Sequence, residues 1–150
     1  MCSQKGYPIE DVPEEEMDKV MDVNFKGTFL VTQVFGKALL DGKKTGSIVI
    51  VSSILAYSPI THYSPYCSSK AAVMQFAKVA AKEWGPRGIR VNSVHPGLID
   101  TPMTEHLKQT PFWGNVVETC SLRRAGKPSG TFHLLERFLF YELFGSGGIR

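Results

Sequence analysis

The chain has 150 residues, of which 43% are hydrophobic, and this is enough to bury one globular core. Its 17 basic and 14 acidic residues give a formal net charge of +3 and are scattered, without a basic run. This distribution argues against a nucleic-acid partner. No apolar run is long enough to cross a membrane, and residues 1–16 lack the apolar core of a secretory signal. We therefore expect a soluble, cytoplasmic protein with no membrane partner.

The cysteines and histidines form neither a disulfide framework nor a metal-binding pattern. No CxxC pair and no ligand-spaced cluster occurs among Cys2, Cys67, Cys120, His62, His95, His106 and His133. We expect free thiols, as in a reducing compartment, and no metal site. For His62, His95 and His106, a surface or turn position is favoured over a catalytic role.

A long amphipathic helix is the first predicted element. Residues 1–12 are predicted to form a loop, and Pro13 followed by three glutamates is typical of a helix start. Apolar residues then recur on a broad face as far as Asp41-Gly42, which predicts burial against both a sheet and a partner helix. Asn24 interrupts this face. It fits either an outward-facing neutral residue or a polar group placed at a site.

Two short apolar runs are predicted to be parallel strands of an α/β fold. Residues 47–52 are rich in β-branched residues, which is typical of a central strand buried on both faces. Residues 89–94 form the second strand. A helix predicted over residues 66–84 connects the two strands and completes a βαβ unit with a right-handed crossover.

Polar and turn-forming residues follow both predicted strands. Ser52-Ser53 ends the first strand, and the turn Pro96-Gly97 follows the second. Ligands of open α/β sheets bind at the carboxyl ends of the strands, so we expect both segments to face one crevice. An ordinary turn remains the alternative interpretation of Pro96-Gly97.

The remaining residues are predicted to form a lid and an apolar tail. Residues 101–127 contain prolines and aromatic residues and are predicted to be short helices and loop of the kind that covers a pocket. Residues 128–150 carry more large apolar residues than one helical stripe can hold. Such a segment is either buried or adhesive.

The predicted connecting helix places a tyrosine and a lysine on one face. Tyr66 and Lys70 are four residues apart, so their phenol and ammonium groups lie side by side within reach of one bound molecule. A nearby cation favours the phenolate and lowers the pKa of a tyrosine from its usual value of about 10. This pair fits proton transfer. Taken by itself, however, the pair is better explained by an exposed aromatic ring beside a solvated lysine.

Together these features resemble the short-chain dehydrogenase/reductase family over roughly residues 12–128. They are Asn24 within Val23-Asn24-Phe25-Lys26-Gly27, the strand ending in Ser52-Ser53, Tyr66 with Lys70, and the run Pro96-Gly97-Leu98-Ile99-Asp100-Thr101. Ser53 precedes Tyr66 by 13 residues, which is the spacing of the family's catalytic serine. Tyr63 does not fit, because Cys67 lies four residues after it.

The resemblance implies four catalytic roles. Tyr66 would be the general acid/base that protonates a carbonyl oxygen or deprotonates an alcohol during hydride transfer. Lys70 would bind the nicotinamide ribose hydroxyls and lower the pKa of that tyrosine. Ser53 would hydrogen-bond the substrate oxygen, and Asn24 would hold a water molecule that links Lys70 to solvent.

The resemblance also implies a cofactor loop after the second strand. Besides Tyr66 and Lys70, the residues expected to contact the cofactor are Pro96, Gly97, Ile99 and Thr101. The backbone of Ile99 would meet the carboxamide, and Thr101 would contact the amide or phosphate region. The cofactor would be NAD or NADP, with the choice undetermined. The partners would be a small carbonyl or alcohol substrate and further copies of the chain, in a dimer or tetramer.

The sequence departs from the family at both ends. It contains no GxxxGxG turn and no Asn-Asn-Ala-Gly segment, so the backbone amides that hold the pyrophosphate are missing. After Gly126-Lys127-Pro128 the family pattern also stops. We therefore expect one partial domain over residues 1–150, with a loop at 1–12, a family-like region at 13–128 and a divergent tail at 129–150. Its fold would be α/β, an incomplete, Rossmann-like, doubly wound parallel sheet, as in a truncated or alternatively spliced product or an incomplete gene model.

Two functional hypotheses follow. The first is an NAD(P)-dependent oxidoreductase of alcohols and ketones with Tyr66 as general acid/base. The second is an inactive fragment that acts as an interaction or dimerisation module through the apolar helices predicted over residues 14–40 and 66–84. The missing phosphate-binding turn favours the second, and the spacing of the catalytic residues favours the first.

Overall fold

The computed structural model describes residues 6–140 of the chain. Its residues divide into two compact units, Met1–His95 and Pro96–Arg150. Among the described residues, the first unit contains a βαβ arrangement preceded by a long helical segment, and the second contains two α-helices, a short helical turn and an isolated bridge. The fold class predicted from the sequence, an incomplete α/β Rossmann-like fold, is confirmed.

The long helical segment of the first unit has three parts. Helix α1 spans Glu14–Met21, a π-helical segment spans Asp22–Lys26, and helix α2 spans Gly27–Asp41. Pro13 occupies the N-cap position of α1, and the three glutamates of the first turn interact favourably with the positive end of the helix dipole. The predicted limits of the helix are confirmed. Apolar periodicity did not predict the π-helical segment, in which hydrogen bonds run from residue i to i+5.

The βαβ unit consists of strand β1 (Gly46–Val51), helix α3 (Ser64–Trp84) and strand β2 (Ile89–Val94). The strands pair in parallel, in a register that runs from Gly46 opposite Ile89 to Val51 opposite Val94. Helix α3 begins two residues earlier than predicted, because Pro65 occupies its first turn, where its missing N–H costs nothing. A three-residue turn links α3 to β2 through Gly88, whose φ of 82° suits glycine.

The core of the first unit lies between α3 and the two strands. Its buried members are mostly β-branched residues of the strands and small residues of the helix: Ile50, Val73, Ala77, Ala80, Ile89 and Val91. Alanines on α3 allow the helix backbone to lie close to the sheet. The π-helical segment packs against the same helix through Phe25, whose ring meets that of Phe76 edge to face at 6.3 Å between centroids.

Strand β1 differs from its prediction. Only Ile50 of this strand is buried, and Val51 is 45% exposed, so the expected burial on both faces is wrong for this part of the chain. Within the described residues β1 pairs with β2 alone and is therefore an edge strand. Its uncovered side forms a groove of about 700 Å³ with α2, lined by apolar residues such as Val31, Phe35 and Leu39.

The second unit contains helices α4 (Pro111–Thr119) and α5 (Pro128–Phe140). The short helices predicted within residues 101–127 are confirmed by α4 and by a three-residue helical turn at Glu105–Leu107. In the predicted apolar tail, residues 128–140 form α5, on which Phe132, Leu134 and Leu139 are exposed. Residues 141–150 lie outside the described part. No described helix has the length and hydropathy needed to span a bilayer.

Candidate active site

Helix α3 brings Tyr66 and Lys70 together. The Lys70 Nζ atom lies 5.8 Å from the centroid of the Tyr66 ring, and both residues are half-buried. This separation lies within the range of a cation–π contact. The ring is partly rather than fully exposed, and the role of the pair in proton transfer stays a prediction.

Two hydrogen bonds attach the Lys70 turn of α3 to the carboxyl end of β1. Lys70 donates from Nζ to the carbonyl oxygen of Val51 at 3.3 Å. In the opposite direction, the Ser52 hydroxyl donates to the carbonyl oxygen of Lys70 at 2.8 Å. Ser52 is itself buried, so its hydroxyl needs this partner. The ammonium group is thus held at the end of the strand, where the sequence predicted a ligand site.

Ser53 follows at the same strand end and caps a short helical turn, Ile54–Ala56. It is buried, with 8% of its surface exposed, and its hydroxyl accepts a hydrogen bond from the Leu55 amide at 3.2 Å. This bond fixes the side chain as an N-cap and leaves the hydroxyl proton available for donation.

His95 supports Ser53 from the end of the neighbouring strand. Its Nδ1 lies 3.3 Å from the Ser53 carbonyl oxygen, and its Nε2 lies 2.9 Å from the Ser93 hydroxyl. Its ring also packs against Tyr57, with centroids 5.0 Å apart. His95 does follow a strand, as its predicted turn position required. The contacts with Ser53 were not predicted.

Asn24 faces helix α3. Its Nδ2 donates to the Ser69 hydroxyl at 3.0 Å, so the outward-facing interpretation of this residue is wrong. The Asn24 carbonyl oxygen accepts a hydrogen bond from the Thr28 hydroxyl at 2.7 Å, across the junction with α2. The Ser69 hydroxyl in turn donates to the Tyr66 carbonyl oxygen at 2.7 Å. Asn24 is thereby connected to the turn that bears Tyr66 and Lys70.

The predicted cofactor loop belongs to the second unit and is organised by Thr104. The Thr104 hydroxyl lies 2.7 Å from the carbonyl oxygen of Ile99 and accepts from the amide of Thr101 at 3.1 Å. The loop is also anchored by a parallel bridge between Ile99 and Gly126. No described atom lies within 4 Å of a Cβ built on Gly97, so internal packing does not require glycine there. The shared crevice expected for Ser53 and Pro96-Gly97 stays a prediction.

Sequence reasoning missed three polar residues, of which two stabilise the candidate site of the first unit and one organises the loop of the second unit. Ser69 lies inside the Tyr66 to Lys70 motif, His95 directly precedes Pro96-Gly97, and Thr104 follows Thr101 by three residues. The spacing of the two threonines is typical of a local side-chain to backbone turn and could have indicated Thr104. No local signal identifies the partners of Ser69 or His95. The described residues contain no cluster of three potential metal ligands.

Comparison with known proteins gives one consistent result. A family model described as short chain dehydrogenase matches residues 2–111. The (3R)-3-hydroxyacyl-CoA dehydrogenase of Mus musculus is 47% identical over 96 residues, which are 64% of this chain and 37% of the relative. Estradiol 17-beta-dehydrogenase 8 of Callithrix jacchus is 48% identical over 94 residues, 63% of this chain and 70% of the relative. The chain thus spans about a third of the first relative and most of the second.

Solved structures of the same kind superpose on most of the chain. A protein from Agrobacterium tumefaciens, assigned as a 2-deoxy-D-gluconate 3-dehydrogenase and holding NADP, matches with a TM-score of 0.88 and 28% identity. The match covers 93% of this chain and 57% of that protein. A 4-hydroxyisoleucine dehydrogenase complexed with NADH matches with a TM-score of 0.81 and 27% identity, over 89% of this chain and 57% of that protein.

Proposed function

The chain belongs to the short-chain dehydrogenase family, and on that premise we propose that it serves an oxidoreductase reaction between NAD(P) and an alcohol or carbonyl compound. Tyr66 is the proposed general acid/base. The observation that carries the proposal is the placement of the Lys70 ammonium beside the Tyr66 ring at the carboxyl end of β1. The relatives named as dehydrogenases, together with neighbours that hold NADP or NADH, support this assignment.

The proposed division of labour follows from the chemistry of each group. A phenol near a cation gives up its proton more readily, so Tyr66 can accept a proton from an alcohol or return one to a carbonyl oxygen. Ser53 has a hydroxyl proton to donate to the same oxygen, since its own oxygen is already engaged by Leu55. Lys70 supplies the positive charge. Asn24 fixes the turn that carries Tyr66 and Lys70, and its proposed water contact remains part of this hypothesis.

The residues present fit one half of a nicotinamide dinucleotide. Tyr66 and Lys70 offer a phenol and an ammonium group to the ribose hydroxyls. For the loop of the second unit, the family resemblance implies a backbone contact of Ile99 with the carboxamide and a contact of Thr101 with the amide or phosphate region. When bound, the cofactor supplies or accepts the hydride. The sequence holds no GxxxGxG turn for the pyrophosphate. We therefore propose weak nucleotide binding by this chain, with no preference assigned between NAD and NADP.

Replacement of one tyrosine by phenylalanine tests the catalytic proposal. We expect Tyr66→Phe to lower kcat/KM by a factor of about 10² to 10⁴, the range typical of a lost general acid/base. Tyr63→Phe is the matched control, because Tyr63 caps the same helix and differs only in its position. Oxidation of secondary alcohols, including 3-hydroxyacyl-CoA and estradiol, is followed by the absorbance of NADH or NADPH. Equal turnover by Tyr66→Phe and Tyr63→Phe would exclude the proposed role.

Nucleotide binding is tested separately by thermal unfolding of the 150-residue chain. A ligand that binds only the folded state raises the midpoint of unfolding. We expect a small, concentration-dependent rise with either NADH or NADPH, whichever the chain binds. A midpoint that neither nucleotide moves at millimolar concentration would contradict the cofactor proposal.

Apolar residues on the open side of α2 favour a second candidate function, which is pairing with another copy of the chain. Four large apolar residues are exposed along one stripe of this helix, from 49% to 66% each: Leu30, Val31, Val34 and Phe35. Such a stripe is unusual on an isolated surface. A chain with this function would bind another copy of itself through this stripe and would need no catalytic activity.

Sedimentation velocity distinguishes a pairing chain from a monomer. We expect wild-type chain to sediment as a dimer or larger species and Phe35→Glu to shift toward monomer. Lys37→Glu, a charge change at an exposed position on the same helix, is the control and should sediment as wild type does. Monomeric wild-type chain at concentrations of tens of micromolar would contradict the pairing function.

A further inference from the structure

The hydroxyl of Ser69 occupies a fully buried position between two elements of the candidate site. Ser69 is 0% exposed, and its hydroxyl makes two short hydrogen bonds. It accepts from Asn24 Nδ2 at 3.0 Å and donates to the Tyr66 carbonyl oxygen at 2.7 Å. A serine hydroxyl that both accepts and donates is satisfied in a dry environment.

The carbonyl that Ser69 contacts links the two proposed catalytic residues. In an α-helix the carbonyl of residue 66 also accepts the amide proton of residue 70. The Ser69 hydroxyl therefore binds the backbone at the hydrogen bond that sets the spacing of Tyr66 and Lys70. The neighbouring hydroxyl, Ser68, belongs to the same turn but is exposed.

The donor to Ser69 comes from an unusual piece of backbone. Asn24 is the middle residue of the π-helical segment Asp22–Lys26, and π-helical turns inside α-helices often occur at functional sites. One residue later, Phe25 packs edge to face on Phe76 of α3. The segment is thus held to α3 by one polar contact and one aromatic contact, side by side.

We propose that Ser69 is a positioning residue whose hydroxyl clamps the π-helical turn at Asn24 to the turn of α3 that carries Tyr66 and Lys70. The proposal deepens the proposed function and rests on it for its catalytic consequence. The clamp itself is a property of the fold. Loss of the hydroxyl leaves the Asn24 side-chain amide without its partner and lets the two turns move independently, which shifts Tyr66 and Lys70 together relative to the π-helical turn at Asn24.

Hydrogen exchange of the wild-type chain tests the clamp without any substitution. We expect a side-chain Nδ2 proton of Asn24 to exchange at least about tenfold more slowly than those of Asn115, an exposed asparagine on α4. Equal exchange rates at the two asparagines would overturn the proposal, because the hydrogen bond would then be absent in solution.

A double-mutant cycle tests the coupling. Asn24→Ala and Ser69→Ala are compared singly and together by denaturant unfolding. We expect the two losses to be non-additive by about fivefold in the unfolding equilibrium constant, the size of one net hydrogen bond. The matched cycle with Ser68→Ala should be additive. Additivity in both cycles would overturn the clamp. If Ser69→Ala does not fold, Ser69→Thr keeps the hydroxyl and should preserve the slow exchange at Asn24.

The catalytic consequence has its own measurements. We expect Ser69→Ala to lower kcat about tenfold with KM nearly unchanged and to shift the ring NMR resonances of Tyr66. Ser69→Thr should restore both the kcat and the resonances. Ser68→Ala should change neither. If the wild-type chain shows no turnover that depends on Tyr66, only the proposed function is refuted. The Asn24–Ser69 clamp would still be tested by hydrogen exchange and by the double-mutant cycle. Slow exchange and coupling with unaltered Tyr66 resonances would refute the positioning role.

Discussion

Lys70 donates a hydrogen bond from Nζ to the carbonyl oxygen of Val51 at 3.3 Å, and this bond joins helix α3 to the last residue of strand β1. The same Nζ atom lies 5.8 Å from the centre of the Tyr66 ring. One ammonium group therefore contacts both the strand end and the phenol. Any shift of the end of β1 would also move the charge that the proposed chemistry requires.

The first prediction concerns this charge. Lys70→Met retains much of the side-chain length but removes the ammonium, so we expect kcat/KM to fall by a factor of about a hundred or more. Lys78→Met is the control, because Lys78 is exposed on the same helix, two turns further along. The two variants are compared by initial rates under the conditions used for Tyr66→Phe. Similar rates for both would mean that the cation has no part in the reaction.

The second prediction concerns His95. His95→Ala removes the contacts to the Ser53 carbonyl and the Ser93 hydroxyl. We expect a loss of about 1 to 2 kcal/mol in the free energy of unfolding, the range of one or two net hydrogen bonds. Turnover should fall as well, since Ser53 loses a support. His106→Ala, at an exposed position in the second unit, should leave both quantities unchanged. Urea unfolding measures the free energy of unfolding of both variants, and equal values for His95→Ala and His106→Ala would contradict the prediction.

The third prediction concerns Thr104. Thr104→Val is nearly isosteric and removes the hydroxyl that contacts Ile99 and Thr101. We expect the free energy of unfolding of the second unit to fall by about 1 to 3 kcal/mol, because the Ile99 carbonyl and the Thr101 amide lose the hydroxyl that both of them contact. Nucleotide-induced stabilisation should also decrease. Thr119→Val removes an exposed hydroxyl and should stay within about 0.5 kcal/mol of wild type. Equal losses of stability in Thr104→Val and Thr119→Val would contradict the proposal that the Thr104 hydroxyl organises the loop.

The fourth prediction compares two glycines in helix interiors. A Cβ at Gly36 of α2 would overlap the ring of Trp84, whereas one at Gly114 of α4 would meet no described atom within 4 Å. We expect Gly36→Ala to destabilise the chain by about 1 to 3 kcal/mol, as overpacked sites do. Gly114→Ala should instead stabilise it by up to about 1 kcal/mol through helix propensity. Thermal unfolding shows whether each substitution raises or lowers the midpoint of unfolding. A stabilising Gly36→Ala would show that α2 does not pack on Trp84.

The fifth prediction concerns pH. Hydrogen bonds to Asp100, and secondarily to Glu105, raise the pKa of Lys108 above its ordinary value of 10.5. A pKa raised by folding gives stability that is fully present below about pH 10.5 and lost as the pH rises through the folded value. Because Lys108 is exposed, the effect is small and sensitive to salt. Lys108→Gln should lower the midpoint of unfolding at pH 8 more than at about pH 12. A difference that does not change with pH would exclude this ion pair as its source.

Local sequence spacing determined much of the fold and part of the candidate site. Strand β2 lies over the predicted residues, and β1 and α3 shift by no more than two. These elements depend on residues close together in the chain, where β-branched runs favour strands and proline favours a helix start. The adjacency of Tyr66 and Lys70 follows from helix geometry in the same way. Their catalytic roles, and those of Ser53 and Asn24, stay predictions.

Only the tertiary structure decided which polar groups meet. Asn24 and Ser69 are 45 residues apart in sequence, and Ser53 and His95 are 42 apart. Nothing in the spacing of either pair indicates a contact, because each depends on how α3 and the strands pack. The π-helical segment that turns Asn24 toward α3 is likewise not indicated by an apolar pattern with a period of 3.6 residues. Sequence determined the elements because their causes are local, and packing determined the site because its contacts join distant residues.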